Sequence, residues 1–128
     1  TRLLHAQGVS LDELGVGRDL SADQSRAAFR ILCNHWSAFR GTAVQYWLEG
    51  QLADVFGLDV QPGPDTTDAI YDAIDAALQT PPFRPRALHD RFGIEFLATT
   101  DDPADDLRYH RTLTEWHGTV APTFRPDR

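Results

Sequence analysis

Methionine and lysine are both absent from these 128 residues, and cysteine occurs once. A chain with no methionine, even at its start, is expected to be processed or to be a piece of something longer. Its opening, TRLLHAQGV, has the character of a helix already under way. Every one of the 12 basic residues is arginine, which the codon bias of a GC-rich genome suffices to produce. They are scattered singly in a chain of net charge −7, which excludes the clustered basic face that nucleic acid requires. Cys33 alone cannot form an internal disulfide, so a reducing compartment, the cytoplasm, is expected. No apolar run approaches the ~20 residues of a membrane span, and no signal peptide opens the chain. A glycine-rich phosphate loop, a G-x-S-x-G elbow, an internal repeat and a low-complexity tract are also missing.

What is present is core-forming material: 41% hydrophobic residues, with three Trp and seven Phe. Residues 1–8 have apolar positions and end at Gly8, as a helix tail does. Ser10 with Glu13, and Ser21 with Gln24, have the spacing of capping boxes. The first opens a short helical turn that stops in Gly15-Val16-Gly17. The second opens a helix predicted over 22–39, with Ala28, Leu32 and Trp36 on one face. A further helix follows from Val44, Trp47, Leu48, Leu52, Val55 and Phe56, with Gly57 as its terminating glycine. Asp65 is placed to cap the next, whose stripe is Ile70, Ile74 and Leu78, and Thr80-Pro81-Pro82 ends it. A short helix is predicted over 85–92.

From residue 83 the pattern changes, and the short helix closes at Gly93. Ile94–Ala98 is short, apolar and bounded by polar residues, as a buried strand is. Asp102 as N-cap, Pro103 at the first helical position and Asp105 and Asp106 in the first turn predict a helix of about 14 residues ending at Gly118. Thr119–Phe124 is a second strand. Strand, helix, strand is a βαβ unit with parallel strands. Two strands are too few for a finished parallel sheet, which again points to a piece of a larger fold.

Parallel α/β proteins gather functional groups at the carboxyl ends of their strands. Thr99, Thr100, Asp101 and Asp102 follow the first strand, and Arg125-Pro126-Asp127 follows the second. An arginine at such a rim suits a carboxylate or phosphate. The plainer alternative is that Asp102 caps a helix while Arg125 pairs with Asp101 or Asp127. His5, His35, His89, His110 and His117 have no metal-site spacing and are given structural or surface roles. Cys33, on an apolar helix face with no base nearby, is given an inert core role.

The stretch FGIEFLATTDDPADDLRYHRTL followed by VAPTFRPDR resembles the uronate (glucuronate) isomerase family, and LLHAQGV and VQYWLEGQLADVFGLD are similar to earlier family helices. The resemblance implies an amidohydrolase-like (β/α)₈ barrel whose consecutive strands close on T-T-D-D-P and R-P-D. It further implies an aldose–ketose isomerase interconverting D-glucuronate with D-fructuronate and D-galacturonate with D-tagaturonate. On this chain Arg125 becomes the substrate-carboxylate contact, while Thr100, Asp101, Asp102 and Asp127 form the site rim. No residue of the chain matches a proton-abstracting base or a metal ligand. Zinc or a similar divalent metal is expected in the full-length parent, bound by strands that this chain lacks.

The combined expectation is an α/β, mostly helical chain: a helical insertion region at 1–92, then one βαβ segment of an incomplete barrel at 93–128. Its partner is a hexuronate substrate, with no nucleic acid and no membrane. Exposed strand edges leave a homo-oligomer open. Two other readings stand beside it. One is a non-catalytic acidic helical protein-interaction module; the other is a different amidohydrolase-like metal hydrolase.

Overall fold

A computed structural model of the chain describes residues 1–113 and 115–124. Contacts divide it into two compact units, 1–79 and 80–128; the division falls close to the change in sequence character at residue 83 and ahead of the expected boundary at 92/93.

The first unit is helical: α1 (Arg2–Ala6), α2 (Ala22–Asn34), α3 (Ala43–Gly50) and α4 (Thr67–Leu78). The Ser21–Gln24 capping box forms in full, with Ser21 Oγ accepting from the Gln24 amide at 3.3 Å and Gln24 Oε1 accepting from the Ser21 amide at 2.9 Å. Ser10 and Glu13 make the same reciprocal pair, but the chain there only turns, because glycines with positive φ at 15 and 17 stop any helix growing. The helix predicted over 22–39 divides: α2 ends at Asn34, and Trp36–Phe39 winds into a tighter 3₁₀ turn. That turn drives both aromatic rings into the core, where they stack at 5.6 Å beside Leu4 and Val9. Similarly, α3 widens into a π-turn at Gln51–Val55 before Gly57 (φ +69°) ends it. Asp65 does not cap α4; the N-cap is Thr66, without a side-chain cap bond.

Helices α2 and α4 pack through fully buried groups. Cys33, Thr67 and Ile70 are each no more than 1% exposed, and Thr67 Oγ1 donates to the Gly63 carbonyl at 2.8 Å. The solvent side of the pair is laced by Arg26 to Asp68 and Asp72, and by Arg30 to Asp68. Arg26 also lies over the Tyr71 ring at 4.3 Å. These ion pairs are exposed, so packing carries the interface. Burial pushes the Cys33 thiol above its ordinary value of 9.0, and hydrogen bonds to Thr67 and Gly63 oppose that shift.

The second unit holds α5 (Pro85–Arg91), β1 (Phe96–Asp101), α6 (Arg108–Arg111) and β2 (Thr119–Phe124). The strands pair in parallel, in a register running from Phe96 opposite Thr119 to Asp101 opposite Phe124. β1 starts two residues later than predicted and continues through Thr99, Thr100 and Asp101, because backbone pairing with β2 extends it past its apolar part. The crossover helix is far shorter than predicted. Asp102, Asp105 and Asp106 do not cap one long helix; each accepts from the amide two residues on, at 2.8, 2.6 and 3.0 Å. Three successive turns of this kind take the backbone away from helix, and Leu107 sits at φ 53° before α6 begins.

Two outcomes test this packing. Ser21→Ala is expected to cost about 1 kcal/mol of stability in chemical denaturation, the usual loss for an N-cap serine. Cys33 is expected to resist alkylation in the native state at pH 8 and to react freely once denaturant unfolds the chain. A raised folded-state value also means that the thiol's contribution to stability is present below its ordinary value and lost as pH climbs through the raised one.

Candidate active site

Alternation along β1 sorts the residues at its end. Thr99 and Asp101, two apart, share one face, while Thr100 between them faces the other way. Thr99 Oγ1 is the hub of the shared face. It lies 2.7 Å from Asp101 Oδ2, 2.8 Å from His110 Nε2 on α6 and 3.4 Å from the Ala121 carbonyl of β2. His110 Nε2 and Asp101 Oδ2 are 3.8 Å apart, and the two side chains are only 17% and 19% exposed.

Counting hydrogens assigns the donors. A threonine hydroxyl has one hydrogen, and an ionised carboxylate can only accept. At 2.7 Å that hydrogen belongs to the Asp101 contact. The imidazole must then donate from a protonated Nε2 to the hydroxyl oxygen. The result is a directed chain from His110 to Thr99 to Asp101, tying the end of β1 to the helix that follows.

Beyond this chain opens a cleft of about 150 Å³ at the carboxyl ends of both strands. Asp101, Asp102, Pro103 and Leu107 line it from the β1 side, and Thr123 and Phe124 from β2. A complete small-molecule site is usually larger, roughly 300 Å³ and up, about twice this cleft. Of the rim residues expected from sequence, Asp101 and Asp102 line the cleft. Thr100 is exposed on the other face of the strand, and Arg125 and Asp127 lie outside the described residues. Asp102 does a second job, since its Oδ1 holds the turn through the Ala104 amide.

His110 takes only a structural or surface role from sequence, because its spacing marks no partner; its contact with Thr99 is what the structure adds. The available signal was parity: in a strand, Thr99 and Asp101 share a face and Thr100 takes the other, but which face the following helix covers is decided only by the fold.

A second polar cluster occupies the opposite, amino-terminal edge of the strand pair. Asp90 Oδ1 lies 2.8 Å from His117 Nε2 and 3.2 Å from His89 Nδ1, and the His117 hydrogen bond, followed by that of His89, holds the Asp90 carboxyl below its ordinary value. His89 is buried, edge-on to Trp116 at 4.5 Å. One carboxylate oxygen receiving two imidazoles is a hydrogen-bonded arrangement. Among the described residues no group of three or more His, Cys, Asp or Glu is placed to hold a metal ion, so the donor set for the expected divalent metal is not found among them. No helix of the described residues is long and apolar enough to cross a membrane.

Known proteins are similar to this chain in sequence and in fold. The sequence model of the family described as glucuronate isomerase matches residues 2–128. The chain is 53% identical to the uronate isomerase of Cutibacterium acnes, with 99% of this chain and 28% of that protein aligned. With the uronate isomerase of Rhizorhabdus wittichii it shares 46% identity over 98% of its length and 27% of the relative's. It also superposes on the crystal structure of glucuronate isomerase from Caulobacter crescentus with a TM-score of 0.88 at 42% identity, covering 98% of this chain and 27% of that one. The uronate isomerase structure from Thermotoga maritima gives 0.83 at 27% identity, with the same coverage. The chain thus spans little more than a quarter of the length of the relatives it matches. Fold and sequence agree over nearly its whole length, and the chain belongs to the glucuronate isomerase family.

Proposed function

We propose that this chain is a segment of a longer uronate isomerase, an enzyme that interconverts aldose and ketose forms of a sugar acid. In that reading residues 1–92 are a helical insertion and residues 93–128 supply two neighbouring strands of a (β/α)₈ barrel. The observation that carries it is the cleft at the shared carboxyl edge of two parallel strands, lined by the Asp101 and Asp102 carboxylates. Barrel enzymes build their sites at that edge. The strand pair also offers more surface for neighbours: Phe96, Leu97 and Phe124 are 60%, 44% and 72% exposed. Parallel strands are normally covered on both faces, so these side chains suit the remaining strands and helices of a barrel.

The reaction moves a proton between C2 and C1 and shifts the carbonyl between them. It requires a base, stabilisation of an enediol-like intermediate, and an anchor for the carboxylate at the far end of the sugar. Arg125 follows the last described residue of β2 and is assigned that anchor, as a two-pronged donor to the substrate carboxylate. Asp101 and Asp102 shape the rim and hold its loop, with Asp127 beside Arg125 in sequence. No residue of this chain is assigned the proton transfer. A divalent metal, zinc or similar, would supply electrophilic help from strands elsewhere in the parent. D-glucuronate and D-galacturonate, with their keto partners, are the assigned substrates. The acidic interaction module and the ester hydrolase have no observation in their favour.

In the full-length protein, Arg125→Ala is expected to raise KM for glucuronate by about 10- to 100-fold, the worth of a charge-assisted hydrogen bond. Its kcat should change less. Unchanged steady-state kinetics would remove Arg125 from the site. The 128-residue chain alone is expected to be inactive on uronates, and an ester panel tested on the full-length protein separates isomerase from hydrolase.

A further inference from the structure

We infer that His110 is a positioning residue for the sugar-acid site: it fixes the Asp101 carboxylate at the rim through the hydroxyl of Thr99. The inference rests on the uronate isomerase reading above and adds a part of the machinery that the motif itself does not contain. Three observations support it. The Thr99 hydroxyl is contacted at 2.8 Å by His110 and at 2.7 Å by Asp101, so both of its strong bonds lie within one chain of groups. His110 and Asp101 are each more than four-fifths buried, which shelters the chain from competing water. Finally, Asp101 is at once a member of this chain and a wall of the cleft, so an error in its orientation is transmitted to whatever the cleft binds.

The backbone leading to His110 is irregular as well. On local grounds the sequence favours a long helix starting at Pro103. Instead, three aspartate turns and the left-handed Leu107 precede α6. Leu107 accepts an unfavourable backbone conformation, and the segment that follows it delivers His110 to Thr99. Strain tolerated beside a buried polar contact is common where a site must be held in one geometry. In this role the imidazole touches no substrate. It holds the hydroxyl so that the hydroxyl's single hydrogen is committed to Asp101 Oδ2.

The test uses the full-length protein and glucuronate. His110→Phe keeps a ring but removes the donor, Thr99→Val keeps the shape but removes the hydroxyl, and His110→Gln restores an N–H near the Nε2 position. His110→Phe and Thr99→Val are each expected to lower kcat/KM by about 10- to 100-fold, the scale on which a small displacement of a site group is felt. Most of this should appear as a rise in KM, and His110→Gln should recover most of the loss. Because the residues act as one chain, the double variant His110→Phe/Thr99→Val should be no worse than the poorer single. Circular dichroism and thermal melting confirm that each protein is folded; should His110→Phe not fold, Thr99→Val and His110→Gln carry the test. Near-parental kinetics in Thr99→Val, or a failure of glutamine to outperform phenylalanine, overturns the inference. If Arg125→Ala is impaired while these variants are not, only the positioning role falls. A full-length protein without uronate isomerase activity removes the reading beneath it.

Discussion

Parallel pairing of β1 with β2 is the constraint on which the site depends. The register running from Phe96 opposite Thr119 to Asp101 opposite Phe124 ends both strands at one level. Only because they end together do Asp101 and Asp102 from one and Thr123 and Phe124 from the other line the same cleft. A shift of one residue would also turn Thr99 and Asp101 onto the opposite face, away from His110. The backbone ladder therefore sets the chemistry of the edge before any side chain contributes.

The two units are stabilised in different ways. In the first, aromatic and aliphatic side chains close a core around Trp36, Phe39, Leu4 and Val9, and a second contact forms where α2 meets α4 at Cys33, Thr67 and Ile70. The second has little buried apolar surface among its described residues. It is organised by the two-stranded ladder, the aspartate turns and the two histidine clusters, one at each end of the strands. Such a unit leaves large side chains such as Phe96 and Phe124 at its surface. That is expected of a segment whose neighbours lie in a longer chain, and the matched relatives are indeed about four times its length.

The aspartates after β1 show how one sequence feature can serve two ends. A proline flanked by aspartates is a helix-start signal, and on local grounds a helix from residue 103 is the sound expectation. Aspartate is also a good turn former, because its carboxylate reaches the amide two residues ahead. The second tendency prevails at Asp102, Asp105 and Asp106. The outcome is a loop that lines the cleft and a short helix that carries a histidine to the strand.

Much of this chain is legible from residue order alone. Helical periodicity located α2, α3 and α4, the Ser21–Gln24 spacing specified its capping box, and the T-T-D-D-P and R-P-D pair pointed to the family. These features depend on neighbours close in sequence, where spacing and side-chain chemistry largely decide the outcome. Where helices break, how far β1 runs, which of Thr99 and Thr100 faces α6, and the meeting of His110 with Thr99 belong to tertiary structure. Each is settled by a partner distant along the chain: Trp36 and Phe39 by the pull of a shared core, β1 by its ladder with β2, and His110 by a hydroxyl eleven residues away that only the folded crossover brings within 2.8 Å.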